Sequence, residues 1–179
     1  MPKYVALLRA INVGGHNVKM AHLRRLFGEM GFVDVETYIA SGNVIFAAPE
    51  GDAGALERRI EESLEAALGY PVATFLRTPP ELAAIAAYDP FESTELAAHG
   101  HSLYVSFVAQ PPTGEGIEQL LAHTSAVDEF HVAGREVYWL CRVKSSESNF
   151  SGARLEKALG AAATMRNITT VRKLAAKYA

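Results

Sequence analysis

Only one of the 179 residues is a cysteine. Cys141 alone excludes an internal disulfide and a zinc site built from several thiolates, and a reducing, cytoplasmic setting suits such a chain. Long apolar runs are missing too: nothing approaches the roughly 18 consecutive apolar residues of a membrane span. The chain enters a strand pattern at Tyr4 without the basic, apolar and small-residue segments of a signal peptide in series, so neither export nor membrane association is expected. A large excess of one charge is also absent. The 17 Lys and Arg face 20 Asp and Glu, a net charge of −3, which argues against a general nucleic-acid binder. Several signatures are lacking as well. There is no Gly-x-x-x-x-Gly-Lys phosphate loop, no Gly-x-Gly-x-x-Gly dinucleotide run and no Gly-x-Ser-x-Gly nucleophile elbow. The pair His99 and His101 has no carboxylate or cysteine at a diagnostic spacing, so no metal set is expected. The cofactor, if any, is left open.

What charge there is lies unevenly. Residues 48–100 carry three basic and ten acidic side chains, whereas residues 133–179 carry nine basic and three acidic. The basic last quarter leaves room for a local anion site.

The stretch from Tyr4 to Gly15 organises the rest. Residues 3–11 read as a strand apolar on both faces, hence a central strand covered on both sides, and Arg9 is the charge that interrupts it. Asn12-Val13-Gly14-Gly15 turns the chain toward a helix from about Met20, with Asn17 as its expected cap. Met20, Leu23, Leu26, Phe27 and Met30 have helical spacing, and Gly31 stops the helix. Residues 33–38 and 44–46 make a hairpin around Ser41-Gly42-Asn43. Leu56, Ile60, Leu64 and Leu68 define a second helix ended by Gly69. Its Glu57, Glu61, Glu62 and Glu65 are expected on a solvated face. Residues 71–76 supply a fourth strand. The order is β-α-β-β-α-β, that of a ferredoxin-like unit.

Thr78-Pro79-Pro80-Glu81 is a capping box with proline at the first helical position. This linking helix and the loop after it, residues 79–100, separate a first half (1–78) from a second (101–179). In the second half the order repeats. Strand 102–109, helix 116–123, hairpin 128–132 and 136–143, helix 151–159 and strand 161–165 are followed by an extra helix, 168–178, capped by Asn167. The fold expected is α+β: two tandem ferredoxin-like halves with antiparallel sheets, each with helices on one face. Cys141 shares a strand face with Val137, Trp139 and Val143 and reads as a buried small hydrophobe.

Two stretches stand out as candidate anion cradles. At Asn12, Gly14 and Gly15, with Arg9 before them and Lys19 after, glycines let backbone amides approach an anion and the following helix adds its dipole. The plain alternative is a tight turn beside a structural ion pair. At Met165-Arg166-Asn167-Ile168-Thr169, a guanidinium precedes a helix start rich in donors. There the alternative is an ordinary asparagine cap. Ser41, Gly42 and Asn43 offer a hydroxyl, an amide and a hinge, or simply a hairpin turn. An RNA-recognition reading would use aromatics such as Tyr4 and Phe46, or Tyr104 and Tyr138, but the basic-glycine-aromatic signature is missing from the third strand.

Leu8 to Gly15, Lys19-Met20 and Thr37 to Phe46 resemble motifs of the bacterial domain of unknown function 1697 family. Val137-Tyr138-Trp139-Leu140 and Thr164 to Leu174 resemble its later motifs. The chain departs from that pattern at Ala10, where the family commonly has glycine, and at Ile168, where it often has tryptophan. The resemblance implies tandem ferredoxin-like halves and no particular reaction.

The expected function is binding of a small anionic ligand, a nucleotide or phosphorylated metabolite, in a cleft lined by the glycine turn, Ser41–Asn43 and Arg166–Asn167, with Arg9 and Arg166 in one region. The other readings are an enzyme using the same pocket, with no catalytic residue named, and a nucleic-acid binder using the basic C-terminal face. The sequence does not fix the oligomeric state.

Overall fold

The computed structural model describes residues 1–9, 17–39 and 42–179. The chain forms two compact units, Met1–Glu81 and Leu82–Ala179. The first stretch of chain holds β1 (Lys3–Leu8), α1 (Met20–Glu29), β2 (Val33–Thr37), β3 (Asn43–Ala47), α2 (Ala53–Leu68), β4 (Thr74–Arg77) and α3 (Pro79–Ala87). After it come α4 (Ser93–Leu96), β5 (Ser102–Val108), α5 (Gly114–Leu121), β6 (Asp128–Ala133), β7 (Glu136–Cys141), α6 (Gly152–Leu159), β8 (Ala163–Asn167) and α7 (Ile168–Tyr178). The strands form two four-stranded antiparallel sheets, ordered β2-β3-β1-β4 and β6-β7-β5-β8. This α+β arrangement is consistent with two tandem ferredoxin-like units.

In the first unit, alternation along β1 decides which residues meet the helices. Tyr4, Ala6 and Leu8 enter one core with Leu23 and Phe27 of α1 and Ile60 and Leu64 of α2. Val5 and Leu7 point the other way and are also buried. β1 is therefore covered on both faces, as its sequence implies, but it ends at Leu8, with Arg9 just beyond it. The α1 cap differs from expectation. Lys19 occupies it without a side-chain bond, and Asn17 lies two residues too early. At α2, Asp52 is the cap and accepts hydrogen bonds from the Gly54 and Ala55 amides, and Gly69 closes the helix at φ 83°, as its sequence suggests.

Glu57 corrects the solvated-face reading of α2. It is buried, and its Oε1 accepts a 2.9 Å hydrogen bond from the Leu76 amide of β4. β4 is an edge strand, and an unpaired edge amide invites pairing with another chain. Glu57 satisfies it. In the second half the Glu156 carboxylate accepts from the Ala163 amide of β8, also an edge strand, at 3.3 Å.

The second unit repeats the plan. Val137, Trp139 and Cys141 of β7 pack with Leu120 of α5 and Leu155 and Leu159 of α6. Tyr138 projects to the opposite face, where its hydroxyl donates to the Ile85 carbonyl of α3 at 3.2 Å. This sheet therefore has α5 and α6 on one face and α3 against the other, not helices on one face only. The helix that follows the fourth strand thus packs within the second unit. The two halves share more than element order. Tyr4 stacks on Phe46 at 5.7 Å, and Tyr104 stacks on Trp139 at 5.1 Å. Each pair lies across the first and third strands of its sheet, at directly opposed positions.

Candidate functional site

The expected site residues fall in both units. In the first unit, Arg9 is half-buried, and its backbone N–H donates to the Ala73 carbonyl at 2.9 Å. Lys19 is exposed at the start of α1. Gly42 has φ 85°, a left-handed conformation that favours glycine, and its carbonyl accepts from the Leu8 amide at 2.8 Å. Asn43 is fully buried. Its Nδ2 donates to the Tyr38 carbonyl at 2.8 Å, while the Tyr38 amide donates to the Asn43 carbonyl at 3.0 Å. These two bonds close the loop between β2 and β3, which is how a hairpin with no Asn-Gly two-residue turn holds its register. Asn12, Gly14, Gly15 and Ser41 lie outside the described residues.

In the second unit the end of β8 and the start of α7 are continuous. Asn167 caps α7, its Oδ1 accepting from the Thr169 amide at 2.8 Å. A cavity of about 230 Å³ opens at this helix start, lined by Leu96, His101, Ser102, Leu103, Asn167, Ile168, Thr169 and Arg172. The fold brings these together because β5 begins beside the end of β8: Tyr104 lies opposite Asn167, which puts His101–Leu103 next to the α7 cap.

The cavity lies at the positive end of α7. A helix N-terminus leaves four amides without intrahelical acceptors and carries about half a positive charge. Asn167 satisfies one of those amides. Arg172, one turn further along, adds a guanidinium that is half exposed and only 4.0 Å from Asp89, a loose surface pair. His101 is half-buried. Its Nδ1 lies 2.8 Å from the Glu95 carbonyl and 3.5 Å from the Glu95 carboxylate. That side is anchored to α4, and Nε2 is the nitrogen left for another partner. Glu95 is in turn held by Arg142 at 3.2 Å, which keeps its charge occupied.

Arg166 is not among the residues lining the cavity. It is 6% exposed, and its guanidinium donates to Thr164 Oγ1 at 2.7 Å and to the Met165 carbonyl at 3.0 Å. Burial lowers its pKa from the usual 12.5 to about 10, so the side chain remains a cation at neutral pH. Its counterpart in the first half was missed from the sequence. Arg77 of β4 lies opposite Val5 of β1 as Arg166 of β8 lies opposite Val105 of β5. Arg77 is 1% exposed and donates to the carbonyl of the preceding residue, Leu76, at 2.8 Å. Each arginine directly precedes the cap of a helix, Thr78 or Asn167. The signal that would have found Arg77 is this shared place in the repeat: last strand, arginine, cap, helix.

Three of the four aromatics named for the RNA-recognition reading are buried. Tyr4 and Phe46 are in the helix-covered core, and Tyr138 is 1% exposed with its hydroxyl bonded to α3.

A family model described as "Protein of unknown function (DUF1697)" matches residues 1–138. The chain belongs to this family. The DUF1697 match reaches from β1 to the middle of β7 and so spans the first half and most of the second sheet. Among solved structures, a conserved bacterial protein, SP0830 from Streptococcus pneumoniae, is similar over 99% of this chain and 98% of its own, with a TM-score of 0.74 and 20% identity. At that identity the likeness concerns the fold. No curated protein matches. Among the described residues, no helix of this DUF1697 chain is long and apolar enough to cross a membrane.

Proposed function

We propose that this DUF1697 protein binds a small anionic ligand, through a phosphate group, at the start of α7. The observation that carries this reading is the cavity in which the α7 N-terminus, Arg172 and His101 converge. Its volume, about 230 Å³, is below the roughly 300–1,000 Å³ of a pocket that swallows a drug-sized ligand. It fits a phosphate or phosphate-monoester end, with the rest of a phosphorylated metabolite or nucleotide outside. Asn167 and Thr169 position the helix start and Arg172 supplies the charge, while His101, its Nδ1 given to the Glu95 carbonyl, lines the wall. The setting is a reducing, cytoplasmic one, a reading supported by the single buried thiol of Cys141. Among the described residues that line the cavity, no hydroxyl is hydrogen-bonded to the His101 ring.

The test is calorimetric titration of the protein with phosphate and with phosphate monoesters, in wild type and Arg172→Ala. Arg172 is half exposed, so the expected loss is near the low end of the 1.5–3 kcal/mol of a hydrogen bond to a charged group, about tenfold in affinity. Equal affinity in the two proteins would contradict the assignment.

A further inference from the structure

A cavity larger than the one at α7 belongs to neither stretch singled out by the sequence. It is a groove of about 760 Å³ in the second unit, between α5 and α6, within the range of small-molecule sites. α5 and α6 approach most closely at one end. A Cβ on Gly116 would lie 3.4 Å from the Leu159 Cα and from its carbonyl oxygen, so the lack of a side chain there sets the floor. Glu115, Gln119 and His123 form one wall, and Arg154 and Lys157 the other.

The α6 wall is electrostatically unbalanced. Arg154 uses its backbone amide for the Ser151 cap. Among the described residues, neither its guanidinium nor the Lys157 ammonium takes a hydrogen-bond or ion-pair partner. Arg154 also sits in the first turn of α6, where the positive end of the helix disfavours a cation. Spacing of i and i+3 puts the two cations on one face of α6. A smaller cavity of about 210 Å³ shares His123 and Arg154 and continues the groove toward Ser148 and Asn149. Glu115 stands across from the cations, so an acidic group is directed to the α6 wall, and Gln119 and His123 are left for a polar body.

We infer that the α5–α6 groove is a second binding site, distinct from the α7 cavity, for a small molecule whose two adjacent anionic groups, a diphosphate, lie against Arg154 and Lys157. Two neighbouring cations on one face match two neighbouring anions better than a single phosphate, which is what separates this site from the smaller one.

The probe is inorganic pyrophosphate, titrated calorimetrically into three full-length variants. One is Arg172→Ala, which weakens the α7 cavity. Another adds Arg154→Ala and Lys157→Ala to that background. The third adds Lys3→Ala and Lys173→Ala instead, as a control for charge, since both lysines are exposed and neither lines the groove. All four side chains are exposed, so each variant is expected to fold, which circular dichroism checks. The expected result is pyrophosphate binding to Arg172→Ala, a loss of at least tenfold in the groove variant, and less than a threefold change in the control. No pyrophosphate binding to Arg172→Ala, unchanged affinity in the groove variant, or an equal loss in the control would each overturn the inference. Failure of the α7 cavity alone shows instead as unaltered phosphate binding between wild type and Arg172→Ala.

Discussion

Asp128 is predicted to hold the second unit's core together more than any other polar side chain there. It is 5% exposed. One carboxylate oxygen accepts from the Trp139 indole at 2.8 Å, and the other accepts from the Ser148 hydroxyl at 2.7 Å. Ser148 Oγ in turn accepts from the Phe150 amide at 2.9 Å, and Phe150 packs edge-on to Trp139 at 5.2 Å. The carboxylate thus ties β6, β7 and the segment before α6. Asp128→Ala removes two hydrogen bonds to a charged group, about 1.5–3 kcal/mol each, and leaves a buried indole N–H unsatisfied. The bonds share one acceptor group and are not additive, so the expected loss is about 3 kcal/mol. For a chain of this size that lowers the melting temperature by about 6–12 °C. Trp139 is the only tryptophan, so its fluorescence during urea unfolding reports on this site directly. Ser148→Ala alone should cost about 1 kcal/mol, and the double variant should cost less than the sum. A loss below about 0.5 kcal/mol for Asp128→Ala, or strict additivity with Ser148→Ala, would refute the reasoning.

Two further outcomes follow from buried titratable groups. Desolvation, the largest cause, raises the pKa of the Cys141 thiol, so a thiol reagent at neutral pH should label the folded protein far more slowly than the urea-unfolded chain, and fast stoichiometric labelling of folded protein would contradict this. Desolvation also pushes the Tyr138 hydroxyl well above its usual value of 10.0. Its folded pKa exceeds its unfolded one, so its contribution to stability is intact below about pH 10 and declines as pH rises beyond it. Urea melts between pH 9 and 11 should therefore show Tyr138→Phe losing less stability with pH than wild type, and parallel losses would contradict it.

The sheets were legible because strand alternation and helical spacing agree over most of the chain. Capping residues followed where a side chain had a defined job, as at Thr78 and Asn167, while Ser151, read as the first helical residue, is the α6 cap. The α1 cap was misplaced because Asn17 is a good cap by type, while Lys19 has the position and no cap bond. Glu57 was misread because helical spacing puts it among exposed glutamates; only the position of β4 shows that its carboxylate meets an edge amide. The candidate site was half legible. Asn167, Thr169 and Arg172 lie on one cap and helix start, whereas His101 joins them through the pairing of β5 with β8, a contact across more than 60 positions that local pattern does not encode. The α5–α6 groove had no sequence motif at all, since it depends on how closely Gly116 lets the helices approach.

The anion site proposed at the start of α7 is tested most directly by phosphate-monoester titration of wild type against Arg172→Ala. Saturable binding to the wild type is expected, weakened about tenfold in the variant, with both proteins equally folded. Absence of saturable binding to the wild type, or the same affinity in the two proteins, would contradict it.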